Sequence, residues 1–172
     1  MPSKKAGNGV RVGVVGLGNV GLGTLTILAE NAREIGLKLG FPLEIGAVCS
    51  RSVASRELPG ALAGVKRTAD WREVVEDPEI DVVCELIGGM GAAKELIEAC
   101  IAKGKSVVTA NKELMAMEGA AIWDKAIAAG INLAMEASVA GGIPIHTVLR
   151  EGISGDRIEA LFGILNGTSN YI

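Results

Sequence analysis

From Val10 to Gly21 the chain reads Val-Arg-Val-Gly-Val-Val-Gly-Leu-Gly-Asn-Val-Gly: an apolar run that breaks into a G-x-G-x-x-G triplet and then into a helix-length stretch. A strand that turns this abruptly into a helix needs backbone that other residues cannot supply. Gly16 takes the tight turn, Gly18 lets the backbone approach a pyrophosphate, and Gly21 lets the helix pack close to the strand. The helix start, at Asn19 and Val20, adds free N–H groups and partial positive charge for the phosphates. With 24 glycines in the chain, such spacing also arises by chance, as a phosphate-free turn in an α/β core. Its place between a β-rich run and a helix favours a dinucleotide site.

The 172 residues hold one ordinary domain with a substantial core, and hardly two. With 49% hydrophobic and 22% charged residues the composition is globular, and 3% aromatic content means a core of Ala, Val, Leu and Ile. A formal charge of -3 offers no electrostatic basis for nucleic acid or an anionic membrane as partner. Cys49, Cys84 and Cys100 lie far apart without metal spacing, which predicts buried thiols in a reducing compartment. The first nine residues lack a secretory apolar region and read as a disordered tail. No run approaches the roughly 20 apolar residues of a membrane span, so a cytoplasmic protein is expected.

Strand and helix signals alternate for most of the chain. Val20 to about Leu39 reads as one helix, Pro42 to Cys49 as a strand, and Trp71 to Val75 as a short helix capped by Asp70. Ile80 to Ile87 is a near-continuous apolar strand ending at Gly88-Gly89. Ala93, Leu96, Ile97, Cys100 and Ile101 trace a helical face stopped by Gly104, followed by a strand at Ser106 to Thr109. Ile122, Trp123, Ala126 and Ile127 mark a helix closed by Gly130, and Asn132 to Glu136 a further strand. Pro144 fits the first turn of a helix with Val148 and Leu149 facing inward. The expectation is a Rossmann-type doubly wound parallel α/β sheet over residues 10–153. Arg157 to Leu165 then alternates like a half-exposed strand before a turn-rich 166–170. Residues 154–172 therefore read as the start of a truncated second, α+β domain.

Candidate chemistry collects at the strand ends, where open α/β sheets bind ligands. After the second strand the chain has Ser50-Arg51-Ser52 where an NAD site usually places an acid. A guanidinium and two hydroxyls suit a 2'-phosphate, favouring NADP with NAD possible, unless Arg51 is only a solvated cation. Gly88, Thr109, Asn111 and Lys112 sit at the ends of the next two strands and join the cofactor-binding candidates. A lysine beside a substrate carbonyl can exchange the proton that accompanies redox change. Alone, Lys112 reads equally as a surface residue of the next helix. Glu136 opens a small-residue loop up to Pro144, which suits either a ligand or ion approached by backbone, or a strand-to-helix turn with a capping Glu. His146, the single histidine, reads as structural, and no hydrolytic triad or metal-hydrolase cluster is present.

The segments VGVVGLGNVG, VVTANKELMA, MEASVAGGIPI and GILNGTSNYI, in this order, resemble homoserine dehydrogenase from about Val10 to the last residue. The resemblance implies NAD(P)-dependent interconversion of L-homoserine and L-aspartate 4-semialdehyde, in threonine and methionine biosynthesis, by a homodimer. It implies Lys112 as the catalytic proton-transfer residue. It also implies a monovalent-cation site, typically Na+, at Glu136 and the carbonyls of Val139, Gly141 and Ile143. Asn166, Gly167 and Thr168 correspond to a segment near cofactor and substrate. Further substrate carboxylates and a second lysine of that family have no counterpart in these residues, so this chain alone is expected to bind cofactor weakly or moderately and to turn over poorly or not at all. The alternatives are another small NAD(P)-dependent oxidoreductase, or a non-catalytic nucleotide-binding module. A semialdehyde dehydrogenase would need a nucleophilic cysteine, and Cys84 and Cys100 fall inside a strand and a helix.

Overall fold

Along Val10–Val15 (β1) the side chains alternate between two cores. Val12 and Val14 enter one with Leu17 and Leu25, and Val15 enters the other with Val74, Val83 and Leu96. The same split recurs in Leu43–Cys49 (β2), where Val48 faces one way and Ala47 and Cys49 the other. A sheet apolar on both faces has to be covered on both. The computed structural model, which describes residues 9–160, 162 and 163, covers it with helices on each side.

The remaining strands are Lys66–Thr68 (β3), Val82–Glu85 (β4), Ser106–Thr109 (β5) and Leu133–Ala134 (β6). Their order is β3-β2-β1-β4-β5-β6, and every neighbouring pair is parallel. This is the doubly wound sheet expected from the sequence, and its order reverses between β1 and β4. Helix α1 (Asn19–Glu30) lies on one face; α3 (Trp71–Glu76), α4 (Gly91–Ala102) and α5 (Lys112–Ala128) lie on the other. Each fully buried Val, Leu or Ile in these two layers contributes roughly 1.5–3 kcal/mol relative to exposure. Asp70 caps α3 as expected, accepting a hydrogen bond from the Arg72 amide at 3.0 Å.

Several boundaries differ from the sequence expectation. The helix read as continuous from Val20 to Leu39 is two helices, because Asn31 leaves helical geometry and sends both its amide and its Nδ2 back to the Ile27 carbonyl. Its second part is α2 (Ala32–Leu39). Strand β3 has no counterpart in the sequence reading: it is three residues at the sheet edge, two of them exposed cations. Strand β4 is shorter than Ile80 to Ile87, since Ile80 closes a turn onto the Asp77 carbonyl and the Ile87 amide turns back to the Glu85 side chain. The last strand keeps only Leu133–Ala134 before a 3-10 turn at Glu136–Ser138.

Pro144 precedes only a single turn, α6 (Ile145–Thr147), which widens at Val148–Gly152. Val148 is exposed rather than inward-facing. On α5, Ile122 and Ala126 are buried as expected, whereas Ile127 faces outward. Residues 157–160 form no strand: they are exposed and no sheet strand pairs with them. Residues 1–8, most of the tail expected at residues 1–9, lie outside the described residues. Among the described residues no helix is long and apolar enough to cross a membrane.

Candidate dinucleotide and catalytic site

The three glycines after β1 meet different surroundings. Gly16 has φ +107°, and a Cβ there would stand 2.3 Å from the Leu86 carbonyl oxygen. A Cβ on Gly21 would stand 1.8 Å from the Gly16 carbonyl oxygen, so α1 packs against its own turn without room for a methyl group. At Gly18 a Cβ would meet nothing within 4 Å. The first two glycines are required by the fold, and the third borders open space. Asn19 and Val20 are exposed beside it. No side chain caps α1 and no acidic residue lies in its first turn, so its terminal N–H groups face that space uncompensated. The residues fit a bound pyrophosphate.

At the carboxyl end of β2, the Ser50 and Ser52 hydroxyls lie 3.3 Å apart. Arg51 is exposed next to them. Arg56 carries no sequence motif, yet its Nε donates to Ser52 Oγ at 3.2 Å and so places a guanidinium on that hydroxyl pair. A cation five residues after Arg51, in a loop that turns back on itself, was the available signal. Two cations and two hydroxyls at a strand end match the anionic half of a phosphorylated ribose.

Farther along the carboxyl edge, β4 and β5 end side by side in register at Glu85 and Thr109. Both are fully buried. Glu85 accepts from the amides of Ile87 at 2.9 Å and Gly88 at 3.3 Å, and from Thr109 Oγ1 at 2.6 Å. The Thr109 hydroxyl accepts in turn from the Asn111 amide at 3.0 Å. Asn111 caps α5 by accepting from Leu114 N at 3.1 Å, and its Nδ2 donates to the Gly89 carbonyl at 2.6 Å. Lys112, the first residue of α5, is exposed. Gly88 and Gly89 both have φ +70° and open surroundings. Glu85 lies within the apolar run Ile80 to Ile87 and no local motif marks it, although a carboxylate in a strand covered on both faces demands donors.

Lys112 also lines a cleft of ≈ 470 Å³ with Met115, Trp123, Met135, Val139 and His146. This joins two regions far apart in sequence, the start of α5 and the loop after Glu136. Glu136 accepts from the His146 amide at 3.0 Å and from the amide and hydroxyl of Thr147 at 3.0 Å each. Burial alone would raise its carboxyl, but these hydrogen bonds outweigh it and hold the pKa below the usual 4.5. The capping role foreseen for Glu136 is therefore present. Ala140 and Gly141 in the following loop have φ of 54° and 61°. The Ile143 carbonyl accepts from the Ile145 amide at 2.8 Å. Glu136 and the carbonyls of Val139, Gly141 and Ile143 offer only oxygen, the atom type a hard cation takes, although both Glu136 oxygens are already engaged by His146 and Thr147. Asn166, Gly167 and Thr168 lie outside the described residues.

Cys49, Cys84 and Cys100 are free and buried. Burial pushes the thiols up to about 11, 11 and 12 respectively, with Asp70 and Glu73 adding to the effect at Cys49. None is placed as a nucleophile.

The model of the homoserine dehydrogenase NAD-binding domain matches residues 16–136. The chain belongs to the homoserine dehydrogenase family. The homoserine dehydrogenase of Pseudomonas aeruginosa is 47% identical over 163 residues, which are 95% of this chain and 37% of that protein. The crystal structure of a homoserine dehydrogenase from Thiobacillus denitrificans superposes with a TM-score of 0.84 at 48% identity, over 95% of this chain and 38% of that one. A hyperthermophilic archaeal homoserine dehydrogenase mutant in complex with NADPH shares the fold, with a TM-score of 0.69 at 24% identity over 85% of this chain and 49% of that one. The chain thus spans a little over a third of the length of these Pseudomonas and Thiobacillus homoserine dehydrogenases, and the family match includes the turns at Gly16, Ser50, Gly88 and Thr109.

Proposed function

We propose that this chain forms the cofactor-binding part of an enzyme that interconverts L-homoserine and L-aspartate 4-semialdehyde with NADP, NAD being the weaker alternative. The observation that carries it is the open space at Gly18, bounded by two glycines the fold cannot replace, at the strand-order reversal and on the same carboxyl edge of the sheet as Lys112. Family membership over residues 16–136 supplies the substrate class.

The bound dinucleotide supplies the two-electron redox chemistry at its nicotinamide. Gly16, Gly18 and Gly21, with the amides of Asn19 and Val20, seat the pyrophosphate. Ser50, Arg51 and Ser52 hold the 2'-phosphate, with Arg56 behind them, and Gly88, Thr109 and Asn111 border the nicotinamide half. The Lys112 ammonium gives a proton to the substrate oxygen as the aldehyde becomes an alcohol, and the amine takes it back in reverse. The Glu136 loop holds a sodium ion, and Asn166, Gly167 and Thr168 lie near the substrate. Residues 10–153 are the dinucleotide domain and 154–172 the start of a substrate and dimerisation domain. The three free thiols support a cytoplasmic setting, and the whole protein works as a homodimer.

A chimera tests this, with the chain replacing the matching segment of the Pseudomonas aeruginosa relative. Homoserine-dependent NADP+ reduction exceeding NAD+ reduction is expected. A folded chimera without homoserine-dependent turnover, beside an active parent relative, contradicts the proposal.

A further inference from the structure

Glu85 is fully buried, its three hydrogen-bond donors are all neutral, and the mechanism above does not use it. Removing a carboxyl group from water is costly, and an apolar residue would pack the end of β4 more cheaply. What the carboxyl does instead is join two loops. One of its oxygens gathers the Ile87 and Gly88 amides; the other takes the Thr109 hydroxyl. Thr109 holds the Asn111 amide, and Asn111 returns to the Gly89 carbonyl while capping the helix that Lys112 begins. The ring closes: Glu85, Thr109, Asn111, Gly89 and back along the loop to Glu85. Gly88 and Gly89 in succession at φ +70° give that loop no conformational preference of its own to hold it there.

We propose that Glu85 is a positioning residue that, through Thr109 and Asn111, locks the Gly88–Gly89 loop and the start of α5 together, so that Lys112 meets the substrate oxygen in one fixed place. This rests on the function proposed above. A Glu85→Gln amide keeps one acceptor for the two backbone N–H groups and turns a donor toward Thr109. The Thr109 hydroxyl proton then loses its acceptor, while the shape is unchanged.

The test compares Glu85→Gln, Thr109→Val and Thr109→Ser in the chimera, with NADPH binding measured on the chain itself. Glu85→Gln and Thr109→Val are each expected to lower kcat about tenfold with the homoserine KM within about twofold, since misplacement of a proton donor costs rate more than binding. The double variant falls no further than either single one, because both break the same link. Thr109→Ser, which keeps the hydroxyl, loses less than Thr109→Val. Glu85→Gln and Thr109→Val that melt lower but keep the parent's kcat overturn the proposal and leave Glu85 a structural residue. If Glu85→Gln fails to fold, the Thr109 pair decides by the same criterion. An unsubstituted chimera that binds no NADPH and does not turn over defeats the proposed function and this inference with it, which separates that failure from active variants.

Discussion

Gly21 and Gly16 touch so closely that a single methyl group on Gly21 would lie 1.8 Å from the Gly16 carbonyl oxygen. The clash is with backbone, which has no side-chain rotamer to relieve it. Gly21→Ala is therefore expected to destabilise the chain by about 3 kcal/mol, as overpacking against a fixed wall does. Gly18 differs, with extended backbone and nothing within 4 Å. Gly18→Ala should leave the melting temperature within about 2 °C of the parent and weaken NADPH binding roughly tenfold by blocking the approach of the phosphates. Thermal melts and NADPH titrations of both variants check the contrast; equal effects on folding would contradict it.

Lys112 stands exposed at the start of α5, in a position where its loss costs the fold little. Lys112→Ala in the chimera is expected to lower turnover by about 10²-fold while leaving the NADPH affinity nearly intact. Steady-state kinetics and binding separate the two quantities. A parallel loss of both would reassign the lysine from proton transfer to cofactor binding.

All three thiols are buried and raised, so none offers thiolate at neutral pH. A chromogenic disulfide reagent should find no reactive thiol in the folded chain and all three after unfolding. Stoichiometric labelling of the native protein would restore a cysteine-based mechanism to consideration.

Asp77 accepts from Lys66 Nζ at 3.0 Å and from the Glu79 amide at 3.0 Å. The Lys66 hydrogen bond, then that of Glu79, holds its carboxyl below the ordinary 3.8. A lowered folded-state pKa means stabilisation that is complete above the unfolded value and is lost as pH falls through the folded one. Asp77→Asn should accordingly lower the melting temperature by about 2–4 °C near neutral pH. The gap should close below pH 3.8. A gap that persists in acid would place the effect in packing.

What the sequence disclosed follows the strength of the local signal. The apolar run of β1 and the Asp70 cap are short-range patterns and read correctly. Strand β3 did not read, because an edge strand of Lys66, Arg67 and Thr68 is held by pairing with β2 and carries no apolar periodicity. Asn31 broke a helix whose apolar face continues beyond it, through two hydrogen bonds to one carbonyl. At the site, residues on glycine turns were legible from spacing. Glu85 was not, since its partner Thr109 comes from another strand and is chosen by the fold; Arg56, only four residues from its partner Ser52, carries no spacing motif of its own.

The most direct test of the dinucleotide site is a nicotinamide-fluorescence titration of this chain, shown to be folded by a cooperative melt, with NADPH and with NADH. Saturable binding, tighter for NADPH and weakened by Gly18→Ala and by Arg51→Ala, is the predicted result. A folded chain that binds neither dinucleotide, or whose binding ignores Gly18, would contradict the assignment of the β1–α1 turn as the cofactor site.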